Sequence, residues 1–242
     1  FLSHGYPPRE NAGTEQHCKL LAEGMQNRGH QFQIISATRE YGKKHGEVFS
    51  DQNNVIRIVN NIPTRSLKQQ ERDRSIEKQV YKAIRNFNPD VIHVHHLQFL
   101  SSGLRFHQPT VFTFHDAWTW CPSGGTEIKQ DRSHCSGPLA EKCAPCSANW
   151  RPKPTHFATT LMKIAGRTSK WIDSDKLHRA WQKIPARIRQ PLSRVDGDST
   201  VESSLSAQNR NQAMKEQINS FQLCISPSQY LANRAQKFGI NN

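Results

Sequence analysis

The chain has 242 residues, 35 % of them hydrophobic, and a formal net charge of +13. Its length suits one large α/β domain or a domain with an elaborate insertion, and the low hydrophobic share confines the core to a few dense apolar runs such as Val91-Ile92-His93-Val94 and Val111-Phe112-Thr113-Phe114. No run nears the roughly 20 apolar residues of a membrane-spanning helix, and no charged segment followed by an apolar stretch opens the chain as a secretory leader would.

The chain begins Phe1-Leu2-Ser3 without a Met, inside what reads as a strand, so the start of the protein is expected to lie upstream. The loop Tyr6-Pro7-Pro8-Arg9-Glu10-Asn11-Ala12-Gly13 follows. Cys18, Leu21, Ala22 and Met25 then recur at helical spacing, and Gly29 stops that helix. Phe32-Gln33-Ile34-Ile35 reads as a second strand and Val55-Ile56-Arg57-Ile58-Val59 as a third. Ile76, Val80, Ala83, Ile84 and Phe87 mark a long amphipathic helix that Pro89 ends. A strand from Val91 to Val94, a short helical stretch from Leu97 to Leu104 and a strand from Val111 to Phe114 come next.

Residues 147–220 interrupt this order. Phe157, Leu161 and Ile164 suggest one amphipathic helix, and Leu177, Trp181, Ile184 and Ile188 another, kinked at Pro185. From Asp196 to Gln212 the chain is polar and is expected to be mobile. Leu223-Cys224-Ile225 is a last strand. Ser226-Pro227-Ser228 caps a last helix carrying Tyr230, Leu231 and Ala235, with Gly239 after it.

The alternation of strands and helices predicts an α/β fold, a Rossmann-like and mostly parallel sheet with helices on both faces, carrying a basic helical insertion. In such sheets the ligand crevice lies outside the carboxyl ends of the strands. The loops after Ser3, Val94, Phe114 and Ile225 are therefore the ones to inspect.

Those four loops carry a resemblance. Ser3-His4-Gly5-Tyr6-Pro7-Pro8 with Gly13-Thr14-Glu15 and Arg28-Gly29-His30 is similar to the first strand, loop and helix of family 4 glycosyltransferases. Asn88-Pro89-Asp90-Val91-Ile92-His93-Val94-His95-His96 resembles the family's fourth-strand signature, Thr113-Phe114-His115-Asp116-Ala117-Trp118 its fifth, and Ser226-Pro227-Ser228 with Gly239 its last N-domain element. The order and separations agree over nearly the whole chain apart from the insertion. The resemblance implies two Rossmann-like domains facing each other (the GT-B arrangement). Residues 1–242 would then be the N-terminal, acceptor-side domain, with 147–220 as an insertion, and a donor-binding half would lie beyond Asn242. It implies transfer of a sugar, with retention, from a nucleotide sugar held mainly by the C-terminal domain to a glycan or lipid-linked acceptor.

Single residues take expectations from this frame. Gly13 sits where backbone N–H groups can approach a phosphate at a helix N-terminus, and Thr14 and Glu15 share that substrate-binding turn; the plain alternative is a turn glycine with a first-turn acid. The family has two glycines before its Glu, whereas this chain has Ala12-Gly13-Thr14-Glu15. His115 and Asp116 follow a buried strand and are the catalytic candidates. His115 is expected to position and polarise, and Asp116 to orient His115 or bind an acceptor hydroxyl. His93 and His95 share one face of their strand and are expected to line the crevice and bind substrate; two same-face histidines are not a metal site by themselves.

Six cysteines are present. Cys18 and Cys224 lie in apolar elements and are expected as buried thiols. Cys143-Ala144-Pro145-Cys146 has the spacing that lets two thiolates grip one tetrahedral ion, and Cys121 and Cys135 would complete a structural zinc site. Four unconnected thiols are the alternative, and disulfides are disfavoured in the reducing cytoplasm expected for this chain. No cofactor is expected for catalysis.

Residues 151–190 hold ten Lys/Arg against Asp173 and Asp175, a net +8. This excess favours anionic partners, among them a lipid-diphosphate acceptor or the inner face of an anionic membrane, unless it is only a solvated basic face. Two rivals to glycosyl transfer remain. One is a GT-B nucleotide-sugar epimerase. The other is a basic zinc-containing nucleic-acid-binding module, against which stands the lack of any nucleic-acid motif in the basic stretch, so no nucleic acid is expected as partner.

Overall fold

The computed structural model describes residues 1–40, 42–61, 67–129, 131–138 and 200–241, together with 142–144, 146, 153–154, 164 and 193–194. Among the described residues, the elements in chain order are β1 (Leu2–Ser3), α1 (Gly13–Gln26), β2 (Ile34–Thr38), β3 (Val48–Gln52), β4 (Val55–Val59), α2 (Leu67–Glu71), α3 (Arg74–Phe87), β5 (Ile92–Val94) and β6 (Thr110–Thr113). A two-residue antiparallel pair, β7 (Lys153–Pro154) and β8 (Ser193–Arg194), follows. The chain closes with α4 (Thr200–Asn219), β9 (Leu223–Ile225) and α5 (Gln229–Phe238).

Seven of these strands form one sheet in the order β3-β4-β2-β1-β5-β6-β9. Every pairing is parallel except β3 with β4. This is the Rossmann-like α/β sheet that the sequence implies. All five residues of β2 are buried, as they must be where helices cover both faces. The main core joins Leu2, Ile58, Ile76, Val80, Ile92, Val94, Phe112, Trp120, Met214 and Ile218. Burying each large aliphatic chain contributes about 1.5–3 kcal/mol.

Local chemistry sets the ends of the helices. Asp73 caps α3, its carboxylate accepting from the Ile76 N–H at 3.2 Å. Asn88 ends α3 in the left-handed region at φ 50°, one residue before Pro89. Ser228 caps α5 and Gly239, at φ 97°, ends it.

The structure departs from the sequence reading in several places. β2 runs to Thr38, three residues beyond Ile35. β3 was not expected, because Val48-Phe49-Ser50-Asp51-Gln52 is an edge strand with exposed polar residues and no apolar run. Leu97 to Leu104 is not helical. It is a chain of turns with Phe99 at φ 63°, although Leu97, Leu100 and Leu104 are all buried.

The largest correction concerns Asp196 to Gln212. Residues 196–199 lie outside the described residues, and from Thr200 the chain is helical, as α4, where no regular element was expected. Ala207, Arg210, Met214, Gln217 and Ile218 form one buried stripe. Two of those five are polar, so a search for apolar periodicity passes over the helix. Their donor groups reach carbonyls within the fold: Arg210 donates to those of Trp118 and Thr119, and Gln217 to that of Leu104. Cys18 is fully buried as expected, whereas Cys224 is half-buried on the edge strand β9. The helices expected at 157–164 and 177–188 lie outside the described residues apart from Ile164, which is exposed.

Candidate functional site: a histidine crevice at the strand ends

Three segments meet at the carboxyl edge of the sheet. The loop after β1 brings His4, the segment after β5 brings His95 and His96, and the segment after β6 brings His115 and Asp116. The N-terminal half of α1 lies against them with Glu15 and His17. Parallel pairing makes this convergence inevitable, since β1, β5 and β6 are neighbours that end on the same side.

The loop after β1 is braced from below. Arg57 of β4 is fully buried and donates to both carboxylate oxygens of Asp51 at 2.8 Å, to the carbonyls of Tyr6 and Pro7, and to Glu10. Gly5 admits no side chain, because a Cβ there would lie 2.6 Å from Glu10 Cβ and 2.9 Å from Glu15 Oε1. Gly13 differs: nothing lies within 4 Å of where its Cβ would be. The space above the first turn of α1 is open.

Glu15 turns inward. Its carboxylate accepts the Ala12 N–H at 3.1 Å and pairs with His4 Nε2 at 3.0 Å. Burial pulls against ionisation, but the contacts with His4 and the backbone outweigh it and hold Glu15 below the usual carboxylate range. Any effect of Glu15 on a ligand therefore passes through His4. Thr14 is half-buried beside it.

His93 stacks on His95 with ring centres 4.3 Å apart, and its Nε2 lies 2.8 Å from Thr113 Oγ1. His95 is fully buried, and its Nδ1 lies 3.1 Å from His115 Nε2, so one shared proton links the two rings. His17 packs edge-on to both, at 5.3 and 5.2 Å. Burial, reinforced by neighbouring imidazoles, lowers His95 to about 2 and His115 to about 4, and burial lowers His93 to about 4. At neutral pH these rings are uncharged, each offering one donor and one acceptor.

His96 has its tautomer fixed by geometry. Its Nδ1 accepts the Gln98 N–H at 3.0 Å, so the proton sits on Nε2 and points at Asp116 Oδ2, 3.4 Å away. Asp116 Oδ1 accepts the Trp118 N–H at 2.7 Å. Burial opposes the charge on Asp116, but these bonds hold it below its ordinary value. Gly125, at φ 74°, presses on this group from the loop beyond, since a Cβ there would lie 3.0 Å from Asp116 Oδ1. Asp116 is thus oriented by His96 rather than by His115. His4, His17 and His96 are the residues that sequence reasoning left without a role. The signal for them was their place at strand ends and on the first turns of α1.

Among the described residues, His17, His95 and His115 form the one group of three metal-binding side chains whose ligand atoms lie within 4.8 Å of one another. The four cysteines lie further apart, around a separate cavity. A depression of about 450 Å3 between α4, α5 and Ser136-Gly137-Pro138 touches no strand end.

The model of Glycosyltransferase Family 4 matches residues 11–140, which include α1, β5, β6 and the His115-Asp116 pair. No curated protein and no solved structure matches the chain. A match over more than half of the 242 residues, on a parallel sheet with its histidines at the strand ends, places the chain in glycosyltransferase family 4.

Proposed function

We propose that this domain is the acceptor-side half of an enzyme that transfers a sugar, with retention, from a nucleotide sugar to a glycan or lipid-linked acceptor. One observation carries the reading: imidazoles and an oriented carboxylate from β1, β5, β6 and α1 converge at the carboxyl edge of the sheet. Nearby, His4 Nδ1 and His95 Nε2 are buried and find no partner among the described residues. Such nitrogens favour a ligand that brings hydroxyl groups to the crevice.

In this reading the donor is held mainly by a C-terminal domain, and His115 faces its sugar. A neutral imidazole polarises a sugar hydroxyl without adding charge where an oxocarbenium-like centre develops. Asp116, fixed by His96 and the Trp118 N–H, accepts from an acceptor hydroxyl and aligns it for attack. Gly13 and Thr14 offer backbone N–H groups to a phosphate in the open space at the start of α1. His93 and His95 form the floor. No protein nucleophile is required from this half.

No described helix is long and apolar enough to cross a membrane. The net +8 of residues 151–190 supports peripheral attachment to an anionic membrane surface that carries the acceptor. Binding to anionic vesicles but not neutral ones, weakened by salt, is the expected outcome of a flotation assay.

The decisive experiment is a transfer assay of the full-length protein against nucleotide sugars and lipid or glycan acceptors. Residues 1–242 alone are expected to give none, because catalysis needs both reactants held in register. Robust transfer by the isolated domain would overturn the reading.

A further inference from the structure

A second group of reactive side chains lies outside the crevice. Cys121, Cys135, Cys143 and Cys146 line one cavity of about 360 Å3, and all are thiols. Cys121 and Cys135 bracket a loop after β6 whose regular structure is one bridge between Ile128 and His134. Gly124, Gly125 and Gly137 stand in it at positive φ. The loop is tied by Glu127, which accepts from Trp120 Nε1 at 2.9 Å and from Arg234 Nε of α5 at 3.0 Å.

Lys129 and Lys142 stand in the cavity wall with Glu127 and Asp131. Behind it, Arg210 of α4 is fully buried and stacks on the Trp118 ring at 4.4 Å. Its two terminal nitrogens donate to main-chain carbonyls, its Nε has no partner, and among the described residues no carboxylate pairs with it. Cys121, Cys143 and Asp116 stand close enough for their ionised forms to act on it. A buried guanidinium with no carboxylate bonded to it is unfavourable, and four thiolates around one divalent cation, with a net double negative charge, would add to what Asp116 supplies.

We propose that Cys121, Cys135, Cys143 and Cys146 bind one structural zinc ion, with Arg210 as the buried counter-charge that couples the ion to α4. On binding, the four thiols release their protons to solvent and the cavity closes on the ion. The ion staples a loop whose regular pairing among the described residues is the Ile128–His134 bridge. Through Gly125 and Trp118 that loop shapes the wall behind Asp116. The inference stands independently of the transfer reaction.

The full chain, purified without added metal, should contain about one zinc ion per molecule. Cobalt exchange should give intense thiolate-to-cobalt absorption with the visible bands of a tetrahedral ion. Cys143→Ser and Cys146→Ser should each lose the metal. Arg210→Met should hold zinc about tenfold more weakly against a competing chelator, whereas Gln217→Leu, an equally buried change on the same helix, should leave the affinity unchanged. Should the cysteine variants not fold, thiol titration of the native protein decides. Zinc absent and all four thiols reacting freely overturns the proposal. So does zinc that survives Cys143→Ser but leaves with His17→Ala, since the ion would then sit in the crevice. Equal affinities for Arg210→Met and wild type would remove the counter-charge role.

Discussion

The histidine crevice and the cysteine loop are two clusters of metal-competent side chains joined by a few residues of chain, and they are built in opposite ways. In the crevice the backbone does the positioning. Parallel β1, β5 and β6 deliver His4, His95, His96, His115 and Asp116 to one edge, and the rings touch one another. In the loop the Ile128–His134 bridge, a few main-chain hydrogen bonds and the contacts of Arg234 with Glu127, Cys135 and Ser136 define the path, and the four thiols surround a cavity rather than meeting in it. A regular scaffold preorganises a site. An irregular one leaves the last step of convergence to a ligand, which is the physical reason for reading the first as a substrate site and the second as a structural metal site.

The comparison can be broken most forcefully at His115. In the full-length enzyme, His115→Ala should lower turnover about a hundredfold or more, the scale of removing one preorganised transition-state donor. Its melting temperature should change little, because the ring is half-exposed. Unchanged turnover would return His115 to a structural role and leave the crevice without its central residue.

The loop should respond in the opposite currency, losing stability before activity. Glu127→Ala leaves Arg234 and Trp120 Nε1 without their shared acceptor and should cost about 3 kcal/mol in denaturant unfolding. A loss under about 0.5 kcal/mol, the range of ordinary surface changes, would mean that the loop docks by other contacts.

Asp116→Asn sharpens the boundary between the two regions. The amide keeps the size and the Trp118 N–H bond but cannot hold the charge that His96 favours. Turnover should fall about tenfold, less than for His115→Ala, since one charge-assisted hydrogen bond contributes about 1.5 kcal/mol. A rise in KM with kcat unchanged would point to acceptor binding. A loss in kcat alone would point to alignment during reaction.

The last test is a slope with pH. The folded-state values of His95, near 2, and His115, near 4, lie below the ordinary 6.5. Below about pH 6.5 the unfolded chain therefore binds more protons than the folded one. Stability is fully present above that pH and is lost as pH falls through 6.5 toward 4. The depressed Asp116 adds to the loss at still lower pH, in the same direction. His95→Gln should flatten this acid limb. A melting temperature independent of pH between 7 and 4.5 would contradict the buried, uncharged cluster.

Much of the crevice was legible in the sequence because it follows strands. His93, His95, His115 and Asp116 stand at or just past short apolar runs, and the rule that ligands sit at the carboxyl ends of parallel strands directs attention there. His17 and His96 were less legible. Nothing local says that α1 swings His17 onto the rings of β5 and β6, or that His96 rather than His115 holds Asp116. Glu15 illustrates the reverse case. It reads as a substrate residue at a helix start, yet its carboxylate is engaged by Ala12 and His4.

By itself, the sequence determined the order of strands and helices, their parallel arrangement, the edge at which chemistry gathers and the four-cysteine loop. These follow from local periodicity, caps and spacing, which act over a few residues. Tertiary structure alone decided that α4 belongs to the core, because its buried Arg210 and Gln217 are matched by carbonyls from residues more than ninety positions away. It alone added β3, whose polar residues pair with β4 at the sheet edge. It also gathered His17, His95 and His115 within reach of one another, since long-range convergence depends on how the whole sheet packs and leaves no trace in the spacing along the chain.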